Sequence, residues 1–236
     1  MGTKPTILIV HGAWYQPAFW DGIRDRMAER GYPTAAVRLV TCGDAPDSPL
    51  GDLYDDIAVV RRAIDEIDGP IVVVAHSYGG LPATDGAAGV PEVTGLVYVA
   101  SFVLSENQTL LSTLDDHVPD FWVYSDDGRY LLPDDPVAAF LNHCDEATAR
   151  KAAGQMTYFS AVATTQPIRH AAWRDRRAAY IASTDDTHLP LAAQQAMAAP
   201  LTRTYVMETD HSPFVSHPDE LADRLETALR DLGVAE

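Results

Sequence analysis

The sequence predicts an α/β fold, a mostly parallel central sheet flanked by helices, and three observations predict it. Short apolar runs of strand length alternate with helical repeats over residues 1–101. The run Ile71–Ala75 is apolar throughout, as in a strand buried on both faces of a parallel sheet. The alternation returns over residues 178–236, after a middle block of different character. Strands that alternate with helices imply right-handed crossovers and a parallel sheet.

The elements follow in order. Ile7–Val10 is a short buried strand. Trp20, Ile23 and Met27 share a helix face, and Gly31 can cap its C-terminus. Thr34–Val40 reads as the next strand. Leu53, Ile57, Val60, Ile64 and Ile67 mark an amphipathic helix stopped by Gly69-Pro70. Strand Ile71–Ala75, a helix through Leu81–Ala88 and strand Val93–Ala100 complete the first half. From about Phe102 to Arg177 strand character is scarce, and short helical pieces, Pro136–Asn142 and Asp145–Ala153, alternate with loops such as Ser125-Asp126-Asp127-Gly128. Strand Ala179–Ser183, helix Leu191–Ala198 and strand Arg203–Met207 then lead to a last helix. It starts near Pro218, capped by Ser216 or His217, and carries Leu221, Leu225 and Leu232. A single domain over 1–236 is expected, with its core in 1–101 and 178–236. Residues 102–177 are expected to form a helical cap above the sheet's carboxyl edge, where ligand sites of α/β folds lie.

Composition bounds the function. The formal net charge of −17 repels nucleic acid and anionic membranes, so neither is an expected partner, and the charge serves solubility. No apolar stretch approaches the roughly 20 residues of a membrane helix. Ile7–Val10 is too short and lacks the basic leader of a signal peptide, so the expected location is the cytoplasm. Cys42 and Cys144 fit neither a disulfide framework nor a metal-ligand spacing and are expected to be reduced structural thiols. His117, His143, His170 and His217 show no ligand spacing, and no metal or cofactor is expected.

Four segments carry chemistry, each just past a predicted strand. In Ala75-His76-Ser77-Tyr78-Gly79-Gly80 a buried strand runs into a serine flanked by small residues before a helix. A nucleophile on so sharp a turn needs small neighbours two residues to either side, here Ala75 and Gly79. A serine capping a helix after a strand is common, so this segment does not stand alone. His11-Gly12-Ala13-Trp14 follows the first strand and nominates the Ala13 backbone N–H, together with that of Tyr78, for an oxyanion hole. His11 itself reads as a hydrogen-bonder that fixes the turn. Thr184-Asp185-Asp186 supplies a carboxylate and Asp210-His211-Ser212 a histidine. The order Ser, Asp, His suits a triad in which the histidine takes the serine proton and a buried carboxylate holds its tautomer. His76 is expected to point into the fold, and His188, near the acid, to touch the pocket.

These residues resemble the α/β-hydrolase superfamily, and within it the branch holding plant salicylate methyl esterases, hydroxynitrile lyases and small bacterial esterases. The resemblance is carried by His11-Gly12-Ala13-Trp14 with Phe19-Trp20, His76-Ser77-Tyr78-Gly79-Gly80, and Trp173 before Tyr180-Ile181. It continues in Thr184-Asp185-Asp186 with Leu189-Pro190 and Gln194, and in Asp210-His211-Ser212-Pro213. It implies an α/β-hydrolase fold and a serine esterase acting on a small to medium carboxylic ester or lactone, with Ser77, His211 and Asp186 catalytic. Asp185 and then Glu106 stand behind Asp186 as alternatives. The lyases of this branch carry a lysine after the histidine and a threonine in the oxyanion loop, where this chain has Ser212 and Ala13. A carbon–carbon hydrolase or lyase on the same triad, and a non-catalytic ligand-binding member of the fold, are the alternative functions. Candidate substrate contacts are Trp14, Phe102, Phe121, Trp122, Phe159 and His188. The expected partner is a small ester-like molecule, with a homodimer left open.

Overall fold

A computed structural model describes residues 4–45 and 50–234. Its strands are β1 Thr6–Val10, β2 Thr34–Val37, β3 Cys42–Gly43, β4 Ile71–His76, β5 Val93–Val99, β6 Trp122–Tyr124, β7 Tyr130–Pro133, β8 Tyr158–Ser160, β9 Arg177–Ser183 and β10 Arg203–Met207. The helices are α1 Asp21–Glu29, α2 Leu53–Asp65, α3 Gly80–Gly86, α4 Pro136–Phe140, α5 Glu146–Ala153, α6 Leu191–Ala198, α7 Pro213–Ser216 and α8 Pro218–Asp231.

Six strands form the central sheet in the order β10-β9-β5-β4-β1-β2, and every pair is parallel. From β1 the chain steps outward to β2. It then returns to β4 on the other side of β1 and continues outward through β5, β9 and β10. The direction of winding reverses between β1 and β4, and a crevice opens at the carboxyl ends of the strands flanking such a reversal. The loop His11-Gly12-Ala13-Trp14 follows β1 and Ser77 follows β4, so both stand at that crevice.

Both faces of the sheet are covered, which is why β4 is apolar almost throughout. Ile7, Ile9, Val72, Val74, Val97 and Val99 face one way, against Trp20, Ile23 and Met27 of the first helical segment and Leu221, Leu225 and Leu229 of α8. Leu8, Val10, Val73, Ala75, Leu96 and Tyr98 face the other way, against Leu53, Val60 and Ile64 of α2 and Leu81 of α3. Side chains alternate between faces at every residue of a strand, so two separate cores arise from continuous apolar runs.

The strand expected over 34–40 ends at Val37. Beyond it the Leu39 N–H donates to His11 Nε2 (3.1 Å) and the Val40 N–H to Asp56 Oδ1 (2.7 Å), so side chains take the ladder's donors. The larger correction concerns the middle block. It carries helices α4 and α5, as expected, but also an antiparallel sheet ordered β3-β8-β7-β6, one strand of which comes from residues 42–43. Ser125-Asp126-Asp127-Gly128, read as a loop in a helical cap, is the turn joining β6 to β7, with Gly128 at φ 71°. An Asp-Gly pair between alternating aromatic and aliphatic residues is itself a hairpin signal.

Candidate active site

Ser77 sits one residue past β4 with φ at 50°. A left-handed backbone at a non-glycine residue costs of order 1–3 kcal/mol and survives only where the surroundings impose it. The neighbours impose it here. A Cβ on Gly12 would lie 2.8 Å from the Ser77 Cβ, and one on Gly79 would collide with the main-chain carbonyl of His11. The Ser77 carbonyl accepts hydrogen bonds from the Ser101 hydroxyl (2.9 Å) and the Phe102 N–H (3.2 Å). Ala75 in place of a glycine two residues earlier is accommodated in β4 at 1% exposure.

His211 and Asp186 meet in the interior. His211 Nδ1 lies 2.7 Å from Asp186 Oδ2, and the two side chains are 1% and 0% exposed. Burial pushes the Asp186 carboxyl upward. The charge and hydrogen bond of His211, aided by the Leu189 N–H, outweigh it and hold the group below the ordinary carboxylate value. Asp186 Oδ1 accepts the N–H groups of His188 (2.9 Å) and Leu189 (2.8 Å). Gln194, buried on α6, bonds both the N–H and the carbonyl of Ser183 and the Leu189 carbonyl, clamping the loop that presents the acid.

The alternative carboxylates stand elsewhere. Asp185 is exposed and pairs with His143 Nε2 at 3.2 Å. Glu106 pairs with Arg174 at 3.1 Å.

The loop after β1 is held as the sequence suggested. His11 Nδ1 donates to the Gly12 carbonyl at 2.8 Å, while its Nε2 accepts the Leu39 N–H; burial pushes this imidazole down to about 4, so it stays neutral. The Tyr15 N–H closes the turn on the Gly12 carbonyl at 3.4 Å. Trp14, at φ 66°, is tied to the cap by its indole N–H on the Leu131 carbonyl (2.9 Å) and by its own carbonyl on the Thr157 N–H (2.7 Å).

The candidate substrate contacts divide into two groups. Trp14 gathers Phe121, Trp122 and Phe159, with ring centroids 6.4, 6.0 and 5.7 Å away, and Phe159 also packs on Tyr78 at 4.7 Å. His188 gathers Phe121 (4.8 Å), Phe102 (6.5 Å) and His211 (4.8 Å). Phe140 joins the two groups, 5.5 Å from Trp14, 5.3 Å from His188 and 5.4 Å from His211. Nothing in the sequence of its helix distinguishes Phe140 from a packing residue. Clefts of about 570 and 520 Å³ open elsewhere on the surface, the first near Arg61 and Arg169 and the second near Tyr124 and Thr165.

Several side-chain contacts that hold the site leave no mark in the sequence. His76 does point inward, and its Nε2 donates to the His211 carbonyl at 2.9 Å. Asp210 bonds the Ser212 N–H, the Ser216 hydroxyl and the His143 N–H, fixing the turn on either side of His211. The Tyr15 hydroxyl pairs with Ser212 Oγ at 2.6 Å. Asp56 on α2 accepts the hydroxyls of Tyr78 (2.9 Å) and Thr41 (2.6 Å) and sits under the residue after Ser77. A carboxylate on the buried face of an amphipathic helix was the one signal that could have revealed it.

Residues 7–224 match the model of the alpha/beta hydrolase family. Among curated proteins the chain is similar to the alpha/beta hydrolase nvfD of Aspergillus novofumigatus, 26% identical over 234 residues that cover 92% of this chain and 93% of that one. Among solved structures it resembles a pyrethroid hydrolase from Sphingobium faniae, with a TM-score of 0.81, 22% identity and 94% and 96% of the two chains covered. It also resembles the methylesterase MES16 from Arabidopsis, with a TM-score of 0.79, 17% identity and 96% and 99% covered. At such identities the structural likeness concerns the fold, and the family match spans most of the chain. With its parallel sheet, its elbow at Ser77 and its paired His211 and Asp186, the chain belongs to the alpha/beta hydrolase family.

Proposed function

We propose that this protein is a serine hydrolase that cleaves a small to medium carboxylic ester or lactone through an acyl-enzyme on Ser77. The observation that carries the reading is the buried His211–Asp186 pair at 2.7 Å, together with Ser77 held in a left-handed turn just past β4. Asp186 holds the proton of His211 on Nδ1, which leaves the other ring nitrogen free to act as base. His211 takes the Ser77 proton as the hydroxyl oxygen attacks the ester carbonyl. The N–H groups of Ala13 and Tyr78 meet the developing oxyanion, each worth about 3 kcal/mol. The imidazolium returns its proton to the departing alcohol, and a water activated by the same histidine then releases the acid.

The alternative on the same triad, cyanohydrin cleavage, benefits from a cation beside the leaving group. Ser212 follows His211 here, is buried, and is engaged by the Tyr15 hydroxyl. Arg169 stacks 3.8 Å over Tyr54, and Arg129 bonds Asp127 in the β6–β7 hairpin. Ala13 offers no hydroxyl. Ester hydrolysis is therefore the favoured reaction, carried out in the cytoplasm on a small molecule. The test is a panel of aryl and methyl esters assayed beside mandelonitrile. Acid release from esters with no cyanide release is expected; cyanide release without ester turnover contradicts the proposal.

A further inference from the structure

His188 is a histidine doing what an apolar side chain would do more cheaply. Its ring stands edge-on to Phe121 at 4.8 Å and 89° and to Phe140 at 5.3 Å and 90°, and Phe102 closes a further side at 6.5 Å. Within that wall its Nδ1 is shut off from solvent and has no hydrogen-bond partner among the described residues. A buried polar atom left unpaired is destabilising, and a leucine or phenylalanine would fill the same space without leaving one.

The ring's position is set from its own main chain. The His188 N–H donates to Asp186 Oδ1 at 2.9 Å, so the turn that presents the acid also aims this imidazole. Its neighbour is the base itself: the His188 and His211 rings lie 4.8 Å apart at 87°. Burial, reinforced by the charge of His211, pushes His188 down to about 3, so it is a neutral imidazole throughout the working pH range. A neutral imidazole offers one donor and one acceptor and adds no charge beside the base. His188 is thus poor as a second general base and well suited to hydrogen-bond a neutral polar group.

We infer that His188 is a substrate-binding residue, and that it selects esters carrying a hydroxyl group within a few bonds of the scissile carbonyl. His211 must reach both Ser77 and the leaving oxygen, so a substrate atom that meets the adjacent ring lies close to the reacting carbon. The surrounding rings favour a substrate whose remaining surface is aromatic or aliphatic. A hydroxyl suits either tautomer of His188, because it donates to a bare nitrogen and accepts from an N–H. This inference rests on the ester-hydrolase reading and narrows its substrate class.

The test compares matched esters: methyl mandelate with methyl phenylacetate, and methyl 3-hydroxy-3-phenylpropanoate with methyl 3-phenylpropanoate. For the wild-type protein, kcat/KM should favour the hydroxyl-bearing member of at least one pair by on the order of tenfold, the effect of about 1.4 kcal/mol. In His188→Phe that ratio should fall to about one, and in His188→Gln, which keeps a donor and an acceptor, part of it should return. If His188→Phe does not fold, His188→Leu carries the same expectation. A preference that survives in His188→Phe or His188→Leu, or wild-type turnover of both members of each pair at equal efficiency, overturns the inference and leaves the esterase reading standing. Absence of wild-type turnover on all four esters contradicts the esterase reading, and this inference with it.

Discussion

His76 Nε2 donates a 2.9 Å hydrogen bond to the main-chain carbonyl of His211, so the strand that delivers Ser77 also tethers the histidine expected to serve it. A carbonyl oxygen only accepts, so Nε2 carries the proton of this neutral ring. Burial holds the His76 imidazole well below its usual pKa, which keeps it in that form. Tyr15 at 5.1 Å and Phe214 at 4.9 Å fix its plane edge-on. His76→Phe keeps the packing and removes the donor. The expected result is a drop in kcat of about 10²-fold, the order produced by small misplacements of reacting groups, with a smaller change in KM. A His76→Phe variant with wild-type kcat would show that the tether does not position the base.

The choice of acid rests on burial. Asp186 is enclosed and bonded to His211, while Asp185 is exposed and bonded to His143. Asp186→Asn should lower kcat by about 10⁴-fold, as loss of the orienting carboxylate does in other triads. Asp185→Asn should stay near wild type. The reverse pattern in steady-state kinetics would assign the role to Asp185.

Burial lifts the Asp56 carboxyl to about 6, even though Tyr78, Thr41 and two main-chain N–H groups bond it. In the unfolded chain an aspartate titrates near 3.9, so between about pH 4 and pH 6 the folded form binds a proton that the unfolded form does not. Stability contributed by this group is therefore present at the acid end of that window and is lost as pH rises through it. Denaturant titrations of wild type and Asp56→Asn should differ by an amount that changes across pH 4–6 and levels off above it. A difference independent of pH would remove Asp56 as the cause.

Gly12 has no room for a side chain. A Cβ there would sit 2.8 Å from both His76 Nδ1 and the Ser77 Cβ, whereas at Gly22 on α1 the nearest atom is the flexible end of Arg26 at 3.4 Å. Gly12→Ala should cost about 1–3 kcal/mol of stability and most of the activity. Gly22→Ala should raise the melting temperature, since alanine gains about 1 kcal/mol over glycine inside a helix. Thermal melts and kcat/KM measured on the two variants check both statements together.

The core of the fold was legible because burial on both sides of a parallel sheet writes itself as apolar runs such as Ile71–Ala75. The spacing of Leu53, Val60 and Ile64 likewise fixes a helix face. The pairing of Asp186 with His211 was open to a sequence reading because each lies just past a strand, β9 and β10, which are neighbours in the sheet. The antiparallel sheet of the cap was not: Trp122–Tyr124 and Tyr158–Ser160 are three residues each, too short for periodicity to declare itself, and β3 comes from a distant part of the chain. The end of β2 at Val37 was hidden for a related reason, because His11 and Asp56 intercept its donors from elsewhere in the sequence. Contacts made across the fold, such as His76 to His211, leave no local pattern.

The central claim is that Ser77 becomes acylated, and covalent labelling tests it most directly. A fluorophosphonate probe, followed by intact-mass and peptide mass spectrometry, should add one adduct to the wild-type protein, on Ser77. Ser77→Ala should show neither the adduct nor turnover of any ester in the panel. An adduct on another residue, or ester turnover that persists in Ser77→Ala, would contradict the account.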